Sequence, residues 1–293
     1  MKILLFGGSG QLGFEIQKRA LDLDFQLVSP VQSEIDITEA RQVQFLAEKI
    51  KPDLIINSAA YTAVDKAESE REAAFAVNAE GAGVVARAAS QVGARSIYIS
   101  TDYVFDGTLA RPLKETDPTR PLNVYGESKL LGEQNALKEG GGGCVVVRTS
   151  SLHGQRGENF VHTMLKLFAE REEVSIVSDQ FMSPTWAGWL AEVLLDLARL
   201  KTSGLFHASC AGAISWFDFA EQIWNSVRGS NPQIQRCRLK KVGVSDFPRP
   251  AKRPAYSVFD CSKLAQVLGR SPISWQDGLK GHLNDIGRIK LEK

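Results

Sequence analysis

Two kinds of hydrophobic pattern alternate along the first half of the chain. Short, almost uninterrupted apolar runs recur at residues 3–6, 25–28, 54–56, 96–100 and 144–148. Between them lie longer stretches with apolar residues at helical spacing. The first carries Leu12, Ile16 and Ala20; others span 39–50, 67–92 (Ala74, Val77, Ala82, Val85, Ala89) and 123–137. Short runs bounded by turn residues read as buried strands, and 3.6-residue periodicity reads as amphipathic helix. Strands that are apolar on both faces and separated by helices predict an α/β fold with a parallel sheet covered on both sides. Thr38 is the expected cap of the helix at 39–50, Pro52-Asp53 a break, and Gly140 to Gly143 a flexible link. After residue 148 the rhythm loosens. Strands at 174–177 and 205–208, with a helix at 186–200, are candidates to finish the same sheet. The stretch 213–275 holds a helix at 215–227 and a proline-rich segment, 247–254. It reads as a smaller C-terminal lobe lying against the carboxyl ends of the strands, where ligands of such sheets bind.

The opening residues 1–13 (MKILLFGGSGQLG) give the sheet a purpose. A strand breaks at Gly7-Gly8, passes Ser9-Gly10 and enters a helix at Gln11. Glycines allow the backbone to turn tightly and approach phosphates, and a helix N-terminus presents free N–H groups to negative charge. The spacing Gly7, Gly10, Gly13 is G-x-x-G-x-x-G, not the commoner G-x-G-x-x-G. An ordinary glycine-rich turn is the plain alternative, but strand, turn and helix in this order favour a bound dinucleotide. The expected fold is therefore a Rossmann-like doubly wound parallel sheet with a smaller C-terminal substrate-binding lobe. Residues 1–148, with about 173–211 and the C-terminal helix, form the dinucleotide-binding part; about 149–172 and 212–275 form the lobe. Strand two ends in Val28-Ser29-Pro30, with no carboxylate to bind a ribose 2′-hydroxyl; Glu34 and Asp36 come later. Ser29 or Gln32 can donate to a 2′-phosphate, so NADPH is favoured and NADH is the second option. Asp36-Ile37 is placed along the adenine.

Composition narrows the partners. The 293 residues carry a net charge of +1, with 24% charged and 43% hydrophobic, as in an ordinary globular protein. No basic excess argues for nucleic acid, and no apolar run reaches membrane-spanning length. A strand starting at residue 2 or 3 leaves no room for a signal peptide. Cys144, Cys210, Cys237 and Cys261 lie far apart, which reads as reduced thiols of a cytoplasmic protein. The four histidines show no metal-ligand spacing and are expected to be structural; no metal is expected.

The chemistry centres on Tyr125 and Lys129 in Y-G-E-S-K. On a helix these side chains lie one above the other. An ammonium beside a phenol favours the phenolate and lowers its pKa. Ser100-Thr101 closes strand four, at the sheet end where reactive side chains gather. A hydroxyl, a tyrosine and a lysine above a dinucleotide make a hydride-transfer site.

This combination resembles the extended, nucleotide-sugar branch of the short-chain dehydrogenase/reductase superfamily. Longer stretches are similar to its dTDP-4-dehydrorhamnose reductase family: GGSGQLG at 7–13, SAAYTAVDKAE at 58–68, STDYVFDG at 100–107, Tyr125 to Lys129, Asp179-Gln180 with Pro184-Thr185, and Arg249 to Pro254. The resemblance implies NADPH-dependent reduction of the C4 ketone of dTDP-4-dehydro-6-deoxy-L-mannose to dTDP-L-rhamnose. Another nucleotide-sugar reductase or epimerase is an alternative, as is a non-catalytic NADP-binding regulatory subunit. By the same resemblance Thr101, Tyr125 and Lys129 are catalytic, with Tyr125 as general acid. Gly7, Ser9, Gly10, Gln11, Leu12, Gly13, Asp36, Ile37, Ala59, Ala60, Thr62, Tyr125 and Lys129 hold the cofactor. Val64, Asp65, Glu68, Ser100, Asp102, Tyr103, Val104, Phe105 and Arg253 border the nucleotide-sugar substrate, with Arg253 on its diphosphate. Two positions depart from the family. Where it has R-T-S-W-V-Y, this chain has Arg148-Thr149-Ser150-Ser151-Leu152-His153, so the aromatic at 151 is missing; Trp216 or Trp275 is the possible substitute. Some members form dimers around magnesium held by glutamates. Here Glu15 is present but Gly188 stands where a second acid is expected, so a homodimer stays open without support from an intact metal site.

Overall fold

The computed structural model describes residues 1–230 and 232–287. Its strands are β1 (Lys2–Phe6), β2 (Gln26–Val28), β3 (Leu54–Asn57), β4 (Arg95–Thr101), β5 (Cys144–Thr149), β6 (Leu152–His153), β7 (Glu173–Val177), β8 (Phe181–Met182), β9 (Thr185–Trp186), β10 (Gly204–His207), β11 (Ile214–Ser215) and β12 (Arg238–Val242). Six of them form a parallel sheet in the order β10-β5-β4-β3-β1-β2. The chain reverses its direction of travel across the sheet between β1 and β3. A doubly wound sheet opens its ligand crevice at such a reversal.

Alternation within the strands explains the unbroken apolar runs. Ile3 and Leu5 of β1 point into one core with Leu12 and Ile16 of α1 (Gln11–Ala20), while Leu4 and Phe6 point into another with Val43 and Ala47 of α2 (Ala40–Ile50). Both faces of these strands are buried, so apolar residues stand at either parity through β1 and most of β3, and the polar residues of β4 and β5 gather near the strand ends. The Rossmann-like doubly wound architecture is as expected.

Several local features differ from the sequence pattern. The expected single helix over 67–92 is four pieces: α3 (Val64–Ala67), α4 (Arg71–Phe75), a π-helical turn (Ala76–Glu80) and α5 (Gly81–Gln91). The π turn carries Asn78, fully buried. Its side chain accepts from the Tyr61 N–H (2.9 Å) and donates to the Tyr61 carbonyl (3.0 Å) and to Ser128 Oγ (3.0 Å). Such a turn inserts one residue into an α-helix and rotates the helix beyond it. Thr38 does not cap α2: its N–H and hydroxyl both donate to Asp36 (2.9 and 2.8 Å), and Glu39 occupies the cap position. Helix α6 (Val124–Gly140) runs through Gly140, capped at its start by Asn123, whose side chain accepts the Gly126 N–H at 2.7 Å. Gly141 to Gly143 is a 3-10 turn, not a loose link.

Strand β7 lies outside the main sheet and pairs in parallel with β12; β10 does complete the main sheet, beside β5. The remaining short strands pair as β11 with β8 and β6 with β9. Helices α7 (Phe160–Glu170), α8 (Ala187–Leu200), α9 (Trp216–Val227), α10 (Pro232–Arg236), α11 (Ser262–Leu268) and α12 (Trp275–Asp285) fill the second half. Among the described residues no helix is long and apolar enough to cross a membrane, and the four cysteines are unpaired and buried.

Candidate active site

The glycine turn folds back sharply at the carboxyl end of β1. The Gly10 N–H donates to the Gly7 carbonyl at 3.1 Å, and Gly7 has φ +81°, a backbone region that penalises any side chain. A Cβ on Gly13 would collide with the Gly7 carbonyl oxygen, so only glycine lets α1 start this close to the turn. No side chain caps α1 and its first turn holds no acid, which leaves its N–H groups facing the crevice. All the residues expected to hold the cofactor, from Gly7 to Lys129, line one cavity of about 620 Å³. The cavity fits a dinucleotide: glycine backbone at one end, a hydroxyl, phenol and amine at the other. Gln32 lines it. Ser29 does not, because its hydroxyl turns inward to the Leu5 carbonyl (3.2 Å).

Thr101, Tyr125 and Lys129 meet at the inner end. Thr101 closes β4, and Tyr125 and Lys129 lie one turn apart at the start of α6. Tyr125 lines the same cavity as Thr101, and burial, with the charge of Asp102 adding to it, raises its pKa above the ordinary phenol value. The phenol is thus protonated at neutral pH. Lys129 is buried; its Nζ donates to the Ile99 carbonyl (2.6 Å) and lies 4.2 Å from the Tyr98 ring centre. Burial pushes its pKa down to about 7. The expected lowering of the tyrosine pKa by the lysine is not seen, because the ammonium points at Ile99 and burial dominates at the phenol.

Sequence reasoning missed the charges beneath. One turn beyond Lys129, Glu133 forms a buried two-bonded ion pair with Arg148 (Nε–Oε1 2.8 Å, Nη2–Oε2 2.7 Å) and accepts the Ser100 hydroxyl. The spacing Tyr125, Lys129, Glu133 was the available signal.

A second cavity, of about 700 Å³, adjoins the first and shares Thr62 and Glu158 with it. Val64, Asp65, Tyr103 and Arg253 line it, with Arg249 and Lys66. Arg253 bonds both Asp65 oxygens (3.0 and 2.9 Å), and that guanidinium lowers the Asp65 pKa. Not every expected substrate residue reaches it. Glu68 accepts the Val124 N–H (2.9 Å) at the start of α6. Val104 and Phe105 are buried with Leu113 and Phe259. Ser100 and Asp102 line the first cavity instead. Trp216 lines the second cavity, its ring 4.6 Å from Phe160, whereas Trp275 is buried edge-on against Phe219. Ser151 lines the first cavity and has φ +45°.

The residues present do not fit the magnesium site of some relatives. Glu15 is buried and paired with Arg19, whose Nε also reaches Glu192 (3.1 Å) and whose guanidinium lies 5.0 Å from the Trp186 ring centre. A Cβ on Gly188 would collide with that guanidinium and with the indole. Glu15 is already paired with an arginine, and a side chain at 188 has no room. Among the described residues no group of three His, Cys, Asp or Glu side chains is arranged to hold a metal.

The histidines are less scattered than their positions in sequence. His153 Nδ1 lies 3.0 Å from His282 Nδ1, and His282 Nε2 lies 3.3 Å from His162 Nε2. The fourth, His207, stacks on Phe259 and contacts Arg148 (3.4 Å) and the Leu113 carbonyl (2.9 Å).

A doubly wound sheet, a glycine turn and a tyrosine-lysine pair beside a hydroxyl define an oxidoreductase of the short-chain dehydrogenase/reductase class. The model of the family described as "RmlD substrate binding domain" matches residues 1–288, and the chain belongs to that family. It is 43% identical over 288 residues to a dTDP-4-dehydrorhamnose reductase of Burkholderia thailandensis, covering 94% of this chain and 96% of that one. It is 40% identical to the Escherichia coli K12 reductase over 294 residues, with 98% of each covered. A crystal structure of the Bacillus anthracis reductase in complex with NADP superposes with TM-score 0.91 at 38% identity, covering 97% of this chain and 99% of that one.

Proposed function

We propose that this chain reduces the C4 ketone of dTDP-4-dehydro-6-deoxy-L-mannose to dTDP-L-rhamnose with NADPH, NADH being the weaker cofactor. The observation that carries this reading is the gathering of Thr101, Tyr125 and Lys129 on the wall of the first cavity, the one the glycine turn also lines. Gly7 to Gly13 cradle the cofactor pyrophosphate, and Ala59, Ala60 and Thr62 line the route to the nicotinamide. Bound NADPH supplies a hydride to the sugar C4. Tyr125, held protonated by its surroundings, gives the carbonyl oxygen its proton. Thr101 bonds the same oxygen, and Lys129 holds the nicotinamide ribose. Arg253 and Arg249 face the diphosphate, since a guanidinium fork suits phosphate oxygens.

Residues 1–148 with α8, β10 and α12 serve as the dinucleotide-binding part; β7 belongs with the substrate lobe, because it pairs with β12. Unpaired cysteines support a cytoplasmic enzyme. The test is to mix purified protein, NADPH and the dTDP-linked 4-ketosugar and follow absorbance of the reduced cofactor. Turnover is expected, and Tyr125→Phe should lower kcat by roughly 10²–10⁴-fold while NADPH still binds. No oxidation with this sugar, but turnover with a GDP- or UDP-linked one, rejects the substrate. An intact Tyr125→Phe rate rejects the mechanism.

A further inference from the structure

Arg253 meets the second cavity with part of its guanidinium already committed. Five N–H bonds radiate from that planar group. The Nη1 protons go to Asp65 Oδ1 (3.0 Å) and to the Ala251 carbonyl (2.9 Å), and one Nη2 proton goes to Asp65 Oδ2 (2.9 Å). The hydrogen bonds of the guanidinium leave its Nε–H and its second Nη2–H. These two lie side by side on the other edge of the plane, a second fork with the geometry that phosphate oxygens accept. Asp65 itself is a poor neighbour for a diphosphate, because like charges repel at close range. Its carboxylate bonds protein instead, and it also accepts the Ala251 N–H (3.2 Å).

The segment that carries Arg253 is pinned from two sides. Asp65, in α3, holds residues 251 and 253. Asn123, buried at the start of α6, donates its Nδ2–H to the Lys252 carbonyl (2.7 Å), while its Oδ1 caps the helix that carries Tyr125. Alternate residues of one short stretch are thus tied to α3, just beyond the cavity-lining Ala59, Ala60 and Thr62, and to the helix of Tyr125. We infer that Asp65 is a positioning residue for the substrate diphosphate: it holds one edge of the Arg253 guanidinium so that the other edge receives the phosphate oxygens at a fixed distance from Tyr125. This deepens the reading above and rests on it. Without the carboxylate, the long arginine side chain regains its rotamers and must be ordered by each substrate molecule that binds.

The test is Asp65→Asn, which keeps the shape and removes the charge; the side chain is 41% exposed, so the core is untouched. The first cavity is saturated with NADP+, and dTDP, UDP and GDP are titrated by calorimetry in turn, the tightest serving as the probe. The expected Kd for that nucleotide is roughly tenfold above the wild-type value, with the affinity for NADP+ unchanged. With the matching 4-ketosugar, KM should rise by a similar factor while kcat stays within about twofold. Arg253→Met should raise the same Kd, and adding Asp65→Asn to it should bring no further rise, because the carboxylate acts through the guanidinium. An unchanged or lower Kd in Asp65→Asn, beside a raised one in Arg253→Met, overturns the inference and leaves the diphosphate assignment standing; so does a further rise in the double variant. An unchanged Kd in Arg253→Met, or a wild type that binds none of the three nucleotides, overturns both.

Discussion

Acid should unfold this protein through its histidines before its carboxylates respond. His207 and His282 are fully buried, and burial pushes each pKa down to about 3. Arg148 beside His207 and His162 beside His282 add to the effect. In the unfolded chain a histidine titrates near 6.5. Between about 3 and 6.5 the unfolded state therefore binds more protons, and stability is full above 6.5 and lost as pH falls below it. At about pH 5 the population ratio corresponds to roughly 1.5 pK units, or about 2 kcal/mol for each histidine and about 4 kcal/mol for both. That is a large part of the 5–15 kcal/mol typical of a folded domain. His153, buried against His282 and also pushed well below the ordinary imidazole value, adds to the same window, and the raised pKa of buried Asp102 opposes it. Asp117, held down to about 2 by Arg111, acts at lower pH. Lys129, depressed to about 7, has its slope between that value and the ordinary lysine pKa of about 10.4. Urea unfolding followed by circular dichroism near pH 7.5 and near pH 5 measures the difference. His207→Gln and His282→Gln should each reduce it by about 2 kcal/mol. Equal stability at both pH values, or an undiminished slope in both variants, refutes the assignment.

Removing the cation from the buried pair, as Arg148→Met, leaves Glu133 uncompensated and should cost about 3–5 kcal/mol in urea unfolding; a loss below about 1 kcal/mol would show that the pair is wetter than its geometry implies. Gly13→Ala forces a methyl against the Gly7 carbonyl. It should weaken NADPH binding by roughly 1–3 kcal/mol in a fluorescence titration, and wild-type affinity would mean that the turn is not the pyrophosphate site. A chelator should leave the melting temperature unchanged, because Arg19 supplies the charge opposite Glu15; a drop of several degrees would reveal a structural cation.

The main sheet was legible because its strands are dry on both faces, and parallel strands bring all their carboxyl ends to one edge. Once residues 54–56 and 96–100 read as strands, Ala59 and Thr101 had to lie near the glycine turn. Contiguity in a motif did not reveal direction. Tyr103 faces the second cavity while its neighbours Val104 and Phe105 turn into the core. Pairings distant in sequence left no local trace: Glu133 with Arg148, and His282 with His153 and His162. Nor did β7, which reads as one more strand of the sheet, announce β12 as its partner, because three of that strand's five residues are charged (RLKKV) and it has no apolar run. The π turn escaped because its apolar spacing is nearly that of a plain helix.

That turn also sets how the chain tolerates changes in length. With its extra residue, the helical segment holds two rotational phases: before it the chain serves the loop around Tyr61, and after it α5 packs on the sheet. Deleting one residue from 76–80 would merge the phases and rotate one side by about 100° relative to the other. Asn78 would leave Tyr61, or Val85 and Ala89 would leave the core. Loop tips elsewhere can lengthen or shorten without such a choice, so single-residue deletions should be excluded here even though nearly all of the neighbouring side chains are small.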